Sequence, residues 1–283
     1  MELILLTALL GTAALIGLIG GGSDDGDAAA DSPSNSGPDV INGTDGDDRI
    51  EAGAGDDIVN GGAGNDTIFL GIGSDTANGG PGEDRIFGNN GADTVTGGPG
   101  DDQIFLEGGN DESTPSDIGG IPQDGGNDII RGGTENDIIS DRYGANELYG
   151  EEGADTLRAV DFPGDDTPDL LFGGFGADLL IGDDGDIMEG GAREDDFVAV
   201  FDESGDSAVT ITDLDRLTET LTFQFERSVY APNPGDPDIT TADITPDFTT
   251  SPGDIILRLD GTPVAVLEGQ TVYLDSSIIV QMI

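Results

Sequence analysis

The chain has 283 residues, 59 acidic and nine basic, all nine of them Arg, for a formal charge of −50. Cys, His, Trp and Lys are absent, which removes disulfides, Ser-His-Asp triads, HExxH zinc sites and thiol or amine nucleophiles. So acidic a chain is a poor partner for nucleic acid or an anionic bilayer surface, and its own field opposes compaction.

Residues 3–22, LILLTALLGTAALIGLIGGG, are apolar or small and long enough to span a bilayer as a helix. Three readings stay open. One is a secretory signal, with Ala28-Ala29-Ala30 as a distant cleavage site. The others are an uncleaved anchor and a double-glycine leader ending near Gly21-Gly22. All three imply export or membrane tethering, and membrane contact is expected through this segment alone. Residues 23–42 are rich in Asp, Ser, Gly and Pro and read as a polar linker.

From residue 43 to 105 one nine-residue unit runs seven times without insertion: GTDGDDRIE, AGAGDDIVN, GGAGNDTIF, LGIGSDTAN, GGPGEDRIF, GNNGADTVT and GGPGDDQIF. The fourth place is always Gly and the sixth always Asp. The eighth is Ile or Val, except Ala77. Six turn residues followed by a polar-apolar-polar triplet predict a short half-buried strand, with Ile50, Val59, Ile68, Ile86, Val95 and Ile104 inward. A nine-residue unit cannot bury its own apolar side chain, whereas stacked units can, so the period implies a solenoid. Stacking also brings the sixth-place carboxylates together. Their repulsion requires cations between them, and all-oxygen ligands suit Ca²⁺ better than the stricter Mg²⁺.

The GGxGxDxUx pattern of these units resembles the hemolysin-type, or RTX, calcium-binding repeat. That resemblance implies an all-β, right-handed parallel β-roll with two nonapeptides per coil and units i and i+2 on one edge. It also implies ions held between successive sixth-place Asp residues and turn carbonyls. Asp48 with Asp66, Asp57 with Asp75, Asp66 with Asp84, Asp75 with Asp93 and Asp84 with Asp102 are the expected brackets.

After Phe105 the register is expected to break, and 106–124 reads as an insertion without a strand in phase. The pattern resumes with Asp128 and Asp137. In DRYGANELY, Asn146 replaces the sixth-place Asp, a weaker ligand set, and Asp155 restores it. A second insertion covers 159–168. Asp169 and Asp178 follow, Asp186 sits in a unit one residue short, and Asp195 closes the series beside Phe197, expected as a cap. Glu135 and Arg193 stand where the turn Gly should be. The expected metal ligands are therefore Asp48, Asp57, Asp66, Asp75, Asp84, Asp93, Asp102, Asp128, Asp137, Asp155 and Asp178. The roll is expected over 43–198. Residues 199–283 are richer in alternating Thr, Val, Ile and Phe and read as a small antiparallel β unit, with a hairpin at Asp260-Gly261. In RTX proteins a type I secretion signal usually lies at this end.

The expected function is calcium-dependent folding of a secreted bacterial protein with several Ca²⁺ ions and no enzymatic activity. The alternative is an adhesin or surface-layer element whose roll is a spacer and whose partner is the cell envelope or another surface macromolecule. An exported enzyme ranks last, because no GxSxG elbow, phosphate loop or nucleophile–base set occurs.

Overall fold

The computed structural model describes residues 36–114, 117–118, 121–122, 126–161, 167–183, 185–201, 207–215, 218–225, 239–240, 243–247, 254–268 and 278–282. The apolar helix expected at 3–22 lies outside these residues. Among the described residues no helix is long and apolar enough to cross a membrane.

Each nonapeptide turns and then runs as a strand, and successive strands fall alternately into two sheets. The first sheet carries Arg49–Ala54, Thr67–Ile72, Arg85–Asn90, Gln103–Gly108, Ile129–Thr134, Glu147–Glu152, Leu170–Phe175 and Ile187–Ala192 in that order. The second carries Val40–Asn42, Ile58–Asn60, Thr76–Asn78, Thr94–Thr96, Glu112–Ser113, Ile138–Asp141, Thr156–Ala159, Leu179–Gly182 and Asp196–Phe201. Neighbours in both are parallel and paired one coil apart, as Ile50 with Ile68 and Val59 with Ala77. One coil thus holds two nonapeptides and has two edges. On edge one the chain turns from the second sheet into the first; on edge two it turns back.

The eighth-place side chains form the inner column. Ile50, Ile68, Ile86, Val95, Leu148, Leu157, Leu171 and Leu180 are all fully buried. Each contributes roughly 1.5–3 kcal/mol by leaving water. Because every inner residue touches the coils above and below, the core is one continuous column from Ile41 to Ile278. On the outer face of the first sheet the ninth-place rings of Phe69, Phe87 and Phe105 stack at 4.8 and 5.0 Å, with Arg49 over Phe69. Tyr149 and Phe172 stack further along, with Arg131 lying on the Tyr149 ring. Ring faces meet one another or a guanidinium, so this ladder ties coils together along the axis.

The roll extends beyond its expected limits at both ends. Val40–Asn42 pairs with Ile58–Asn60, and Gly37, Asp39 and Ile41 already hold the fourth, sixth and eighth places. Past Phe105 the register does not break at once. Glu112–Ser113 pairs in phase with Thr94–Thr96 and with Ile138–Asp141, and Ser113 fills the inner place. The insertion therefore begins after Thr114. A polar eighth residue hid this unit, although Gly109 and Asp111 keep their places.

The C-terminal region is not a separate antiparallel unit. Val209–Ile211 and Thr262–Leu267 continue the first sheet in parallel, and Thr220–Phe225 and Ile278–Met282 continue the second. Among the described residues of this region, Ile255–Leu259 and Ile244–Asp247 run antiparallel, on the last edge of the first sheet. The reason lies in the connections. Asp260 and Gly261 take left-handed φ values of 50° and 86°, the primed turn of a two-residue hairpin, which folds Ile255–Leu259 back against Thr262–Leu267. Phe197 is no cap: it is fully buried and paired with Leu180 and Leu221. With Phe201, Phe223 and Phe225 it fills a core lined by larger rings at this end.

Candidate metal centre

The sixth residue ends each turn just before its strand, where its main-chain N–H points along the roll axis. That N–H donates to Oδ1 of the sixth residue one coil on. On edge one the bonds run from Asp48 to Asp66 (2.8 Å), Asp66 to Asp84 (2.7 Å), Asp84 to Asp102 (2.8 Å) and Asp102 to Asp128 (2.7 Å). The row continues from Asp128 to Asn146 (2.9 Å), then to Asp169 and from Asp169 to Asp186 (2.8 Å). On edge two Asp39, Asp57, Asp75, Asp93, Asp111, Asp137, Asp155, Asp178 and Asp195 follow one another at 2.7–2.9 Å. All eleven expected ligands stand in these two rows. Asp111 joins them unforeseen, and Asp186 keeps its place although its unit is a residue short.

Most of these carboxylates thus have one oxygen satisfied and one left over, whereas Asp186 accepts an N–H at each oxygen, from Asp169 and from Asp183. The second oxygen, Oδ2, of Asp57, Asp66, Asp75, Asp84, Asp93, Asp111, Asp137, Asp155, Asp169, Asp178 and Asp195 is buried and meets no donor. Main-chain carbonyl oxygens of the neighbouring coil lie nearby. A Cβ placed on Gly150 would fall 2.5 Å from both Asp155 Oδ2 and the Gly173 carbonyl oxygen, so only Gly leaves this space between the two oxygens open. Beside Gly173 the corresponding distances are 2.7 Å to Asp178 Oδ2 and 2.6 Å to Gly190 O. Acceptors thus gather at these turns while the buried carboxylate oxygen has no donor, an arrangement that costs free energy until positive charge enters.

The proton affinities register the same conflict. Burial pushes Asp84, Asp111 and Asp178 up to about 6 and Asp93 and Asp137 up to about 7. The donated N–H pulls each back, and neighbouring carboxylates push all five further up. Asp169, in the crowded turn beside Asp186, is raised to about 9, first by burial and then by Asp186. Among the described residues no three acidic side chains converge on one point. A centre here therefore combines few carboxylates with main-chain carbonyls. That all-oxygen, irregular donor set fits a hard divalent cation that accepts variable geometry.

A second ladder, absent from the sequence reading, flanks the first. At the fifth place Asp47 accepts the N–H of Asn65 (2.8 Å), Asp56 that of Ser74 (3.0 Å), Asn65 that of Glu83 (3.0 Å) and Asn136 that of Ala154 (2.7 Å). These bonds run opposite to the sixth-place bonds: the side chain of one coil accepts from the next. Each such junction is therefore clamped in both directions. The preference for Asp or Asn at the fifth place was visible in the units, but a turn position rich in polar residues looks like any solvated loop.

Close stacking fixes the backbone of the turns. Gly64 has φ 117°, and a Cβ on it would fall 2.6 Å from Gly46 C and 2.8 Å from Asp47 N. The worn units keep this geometry regardless: Glu135 and Arg193 hold φ 76° and 107° at the fourth place.

The model of the RTX calcium-binding nonapeptide repeat matches residues 34–68, 42–77, 69–104, 78–112, 123–157 and 163–192, together just over half of the chain. Such repeats bind calcium. Among solved structures, the extracellular lipase LipA from Serratia marcescens is similar at 15% identity, with a TM-score of 0.24, over 87% of this chain and 39% of that chain. The chain thus spans well under half the length of that lipase. No curated protein sequence matches it.

Proposed function

The chain belongs to the RTX calcium-binding nonapeptide repeat family, and from that membership we propose a calcium-driven fold that operates outside a bacterial cell. The observation that carries this reading is the row of buried second carboxylate oxygens, each without a donor. In this reading Asp48, Asp66, Asp84, Asp102 and Asp128 hold ions along edge one. Asp57, Asp75, Asp93, Asp111, Asp137, Asp155, Asp178 and Asp195 do so along edge two. Ca²⁺ supplies the positive charge that these turns lack. The chain supplies the rest: sixth-place N–H groups orient one oxygen of each pair, and stacked turns hold the other dry.

Binding and folding then share one free energy. Where free calcium is scarce, as in a cytosol, carboxylate repulsion keeps the chain expanded and fit for export. In millimolar calcium, sites with dissociation constants on the order of 10⁻⁴ to 10⁻³ M suffice. Type I secretion and an extracellular location belong to this reading, which includes no catalytic step. Circular dichroism tests it. The β signal is expected to appear between chelator and millimolar Ca²⁺, and identical spectra in the two conditions overturn the reading.

A further inference from the structure

We propose that the turn 141–146 closes without a cation, so that the row of ion sites on edge one is interrupted at Asn146. The inference rests on the calcium reading above and adds which turn stands outside it.

Asn146 differs from every other sixth-place residue in having a donor. Its Oδ1 accepts the Asp128 N–H at 2.9 Å. An N–H can donate only to that oxygen, which fixes the orientation of the amide. The amide nitrogen must then face the turn, where it donates to Tyr143 O and Gly144 O, both at 3.2 Å. In the aspartate turns an oxygen takes the place of this nitrogen. Two N–H groups on two turn carbonyls do what positive charge does elsewhere, and a cation cannot share those lone pairs without displacing the amide.

The rest of the turn has changed to match. Its first residue is Asp141, whose Oδ1 accepts the N–H of Arg142 at 2.6 Å and lies 3.4 Å from the N of Tyr143. The Asp141 carboxyl also lies beside that of Asp128. Asp141 Oδ1 is met by main-chain N–H, unlike the second oxygens of Asp84 or Asp155. Nor does the second residue, Arg142, take the left-handed φ that Glu107 and Glu151 adopt at 72° and 74° in that place. The Asn146 amide and Asp141 Oδ1 are thus met within the protein, by carbonyls and N–H groups rather than by an ion. It divides edge one into a longer row from Asp48 to Asp128 and a short one at Asp169 and Asp186, while edge two runs unbroken past it.

Counting ions tests this. Native mass spectrometry of the full chain in calcium is expected to find one ion more in Asn146→Asp than in the parent, and the parent's number in Asp141→Asn. Asp84→Asn, in an ordinary turn, is expected to lose one. An Asn146→Asp count equal to the parent's overturns the inference. So does a loss of one ion in Asp141→Asn, which would mean that Asp128 and Asp141 share a cation. Should Asn146→Asp fail to fold, Asp141→Asn alone decides. A parent chain without calcium, or an Asp84→Asn chain with the parent's number, defeats the calcium reading first and this inference with it. A fault confined to Asn146 or Asp141 leaves that reading standing.

Discussion

The main-chain N–H of Asp66 donates to Oδ1 of Asp84 at 2.7 Å, and the other oxygen of Asp84 is buried against no donor at all. One side chain thus both aligns two coils and leaves an unbalanced charge between them. The first expected outcome concerns that oxygen. In Asp84→Asn the aligning bond survives, because the amide keeps Oδ1, but the carboxylate is gone. At millimolar Ca²⁺, a site with a dissociation constant of about 10⁻⁴ M contributes about 1.4 kcal/mol. Calcium-dependent melting should show the variant less stable by about that amount, and the gap should close in chelator.

Acidity should act on the metal-free chain in an unusual sense. Asp84, Asp93, Asp111, Asp137 and Asp178 bind protons in the roll up to about pH 6 to 7, whereas the ordinary value is 3.8. Between these limits the folded chain holds more protons than the unfolded one, so stability falls as pH rises. Protonation contributes fully below about pH 3.8 and is lost by about pH 7. In chelator, circular dichroism should therefore find more β structure at pH 4 than at pH 7. Calcium affinity should fall as the pH drops through 7 to 6, because the ion must displace protons.

Stacking tolerance should depend on the coil, not merely on the residue type. Gly64→Ala places a Cβ against the Gly46 and Asp47 backbone at φ 117° and should cost at least about 2 kcal/mol. Gly46 holds the same place in the first unit of that edge, yet a Cβ there meets only Thr44 Oγ1 at 4.0 Å. Gly46→Ala should leave melting within about 0.5 kcal/mol of the parent.

Repairing a worn turn should stabilise the roll. Arg193 holds a φ of 107° that only Gly adopts without strain. Arg193→Gly is expected to raise stability by about 1 kcal/mol, read as a higher melting temperature in saturating calcium.

Much of this architecture is written into the period. Gly at four, Asp at six and a branched apolar residue at eight are enough for coils, strands and acid rows, because each place has one dominant physical demand. Ser113 shows where the reading stops: a core column tolerates one polar residue among many, and a search for apolar eighth places then loses Asp111. Asp39 was missed for a similar reason, since its unit has no Gly before the fourth place and lies in a stretch of linker composition. The fifth-place ladder could not be read at all, because its bonds depend on which coil lies above. Of the C-terminal strands, Ile244–Asp247 falls in a stretch that reads as a long loop, and the hairpin at Asp260-Gly261 stands as expected, but the parallel direction of the strands that continue the roll was not read. Alternation tells inside from outside and is silent on parallel or antiparallel pairing.

Both long insertions and the unit short by one residue fall between a strand of the second sheet and the next strand of the first: after Glu112–Ser113, after Thr156–Ala159 and after Leu179–Gly182. The opposite side, from Asp39 to Asp195, departs nowhere from Asp. The molecule therefore has a front and a back. Loops of any length can be hung from one flank without disturbing the stack, and the other remains a ruler of evenly graduated charge.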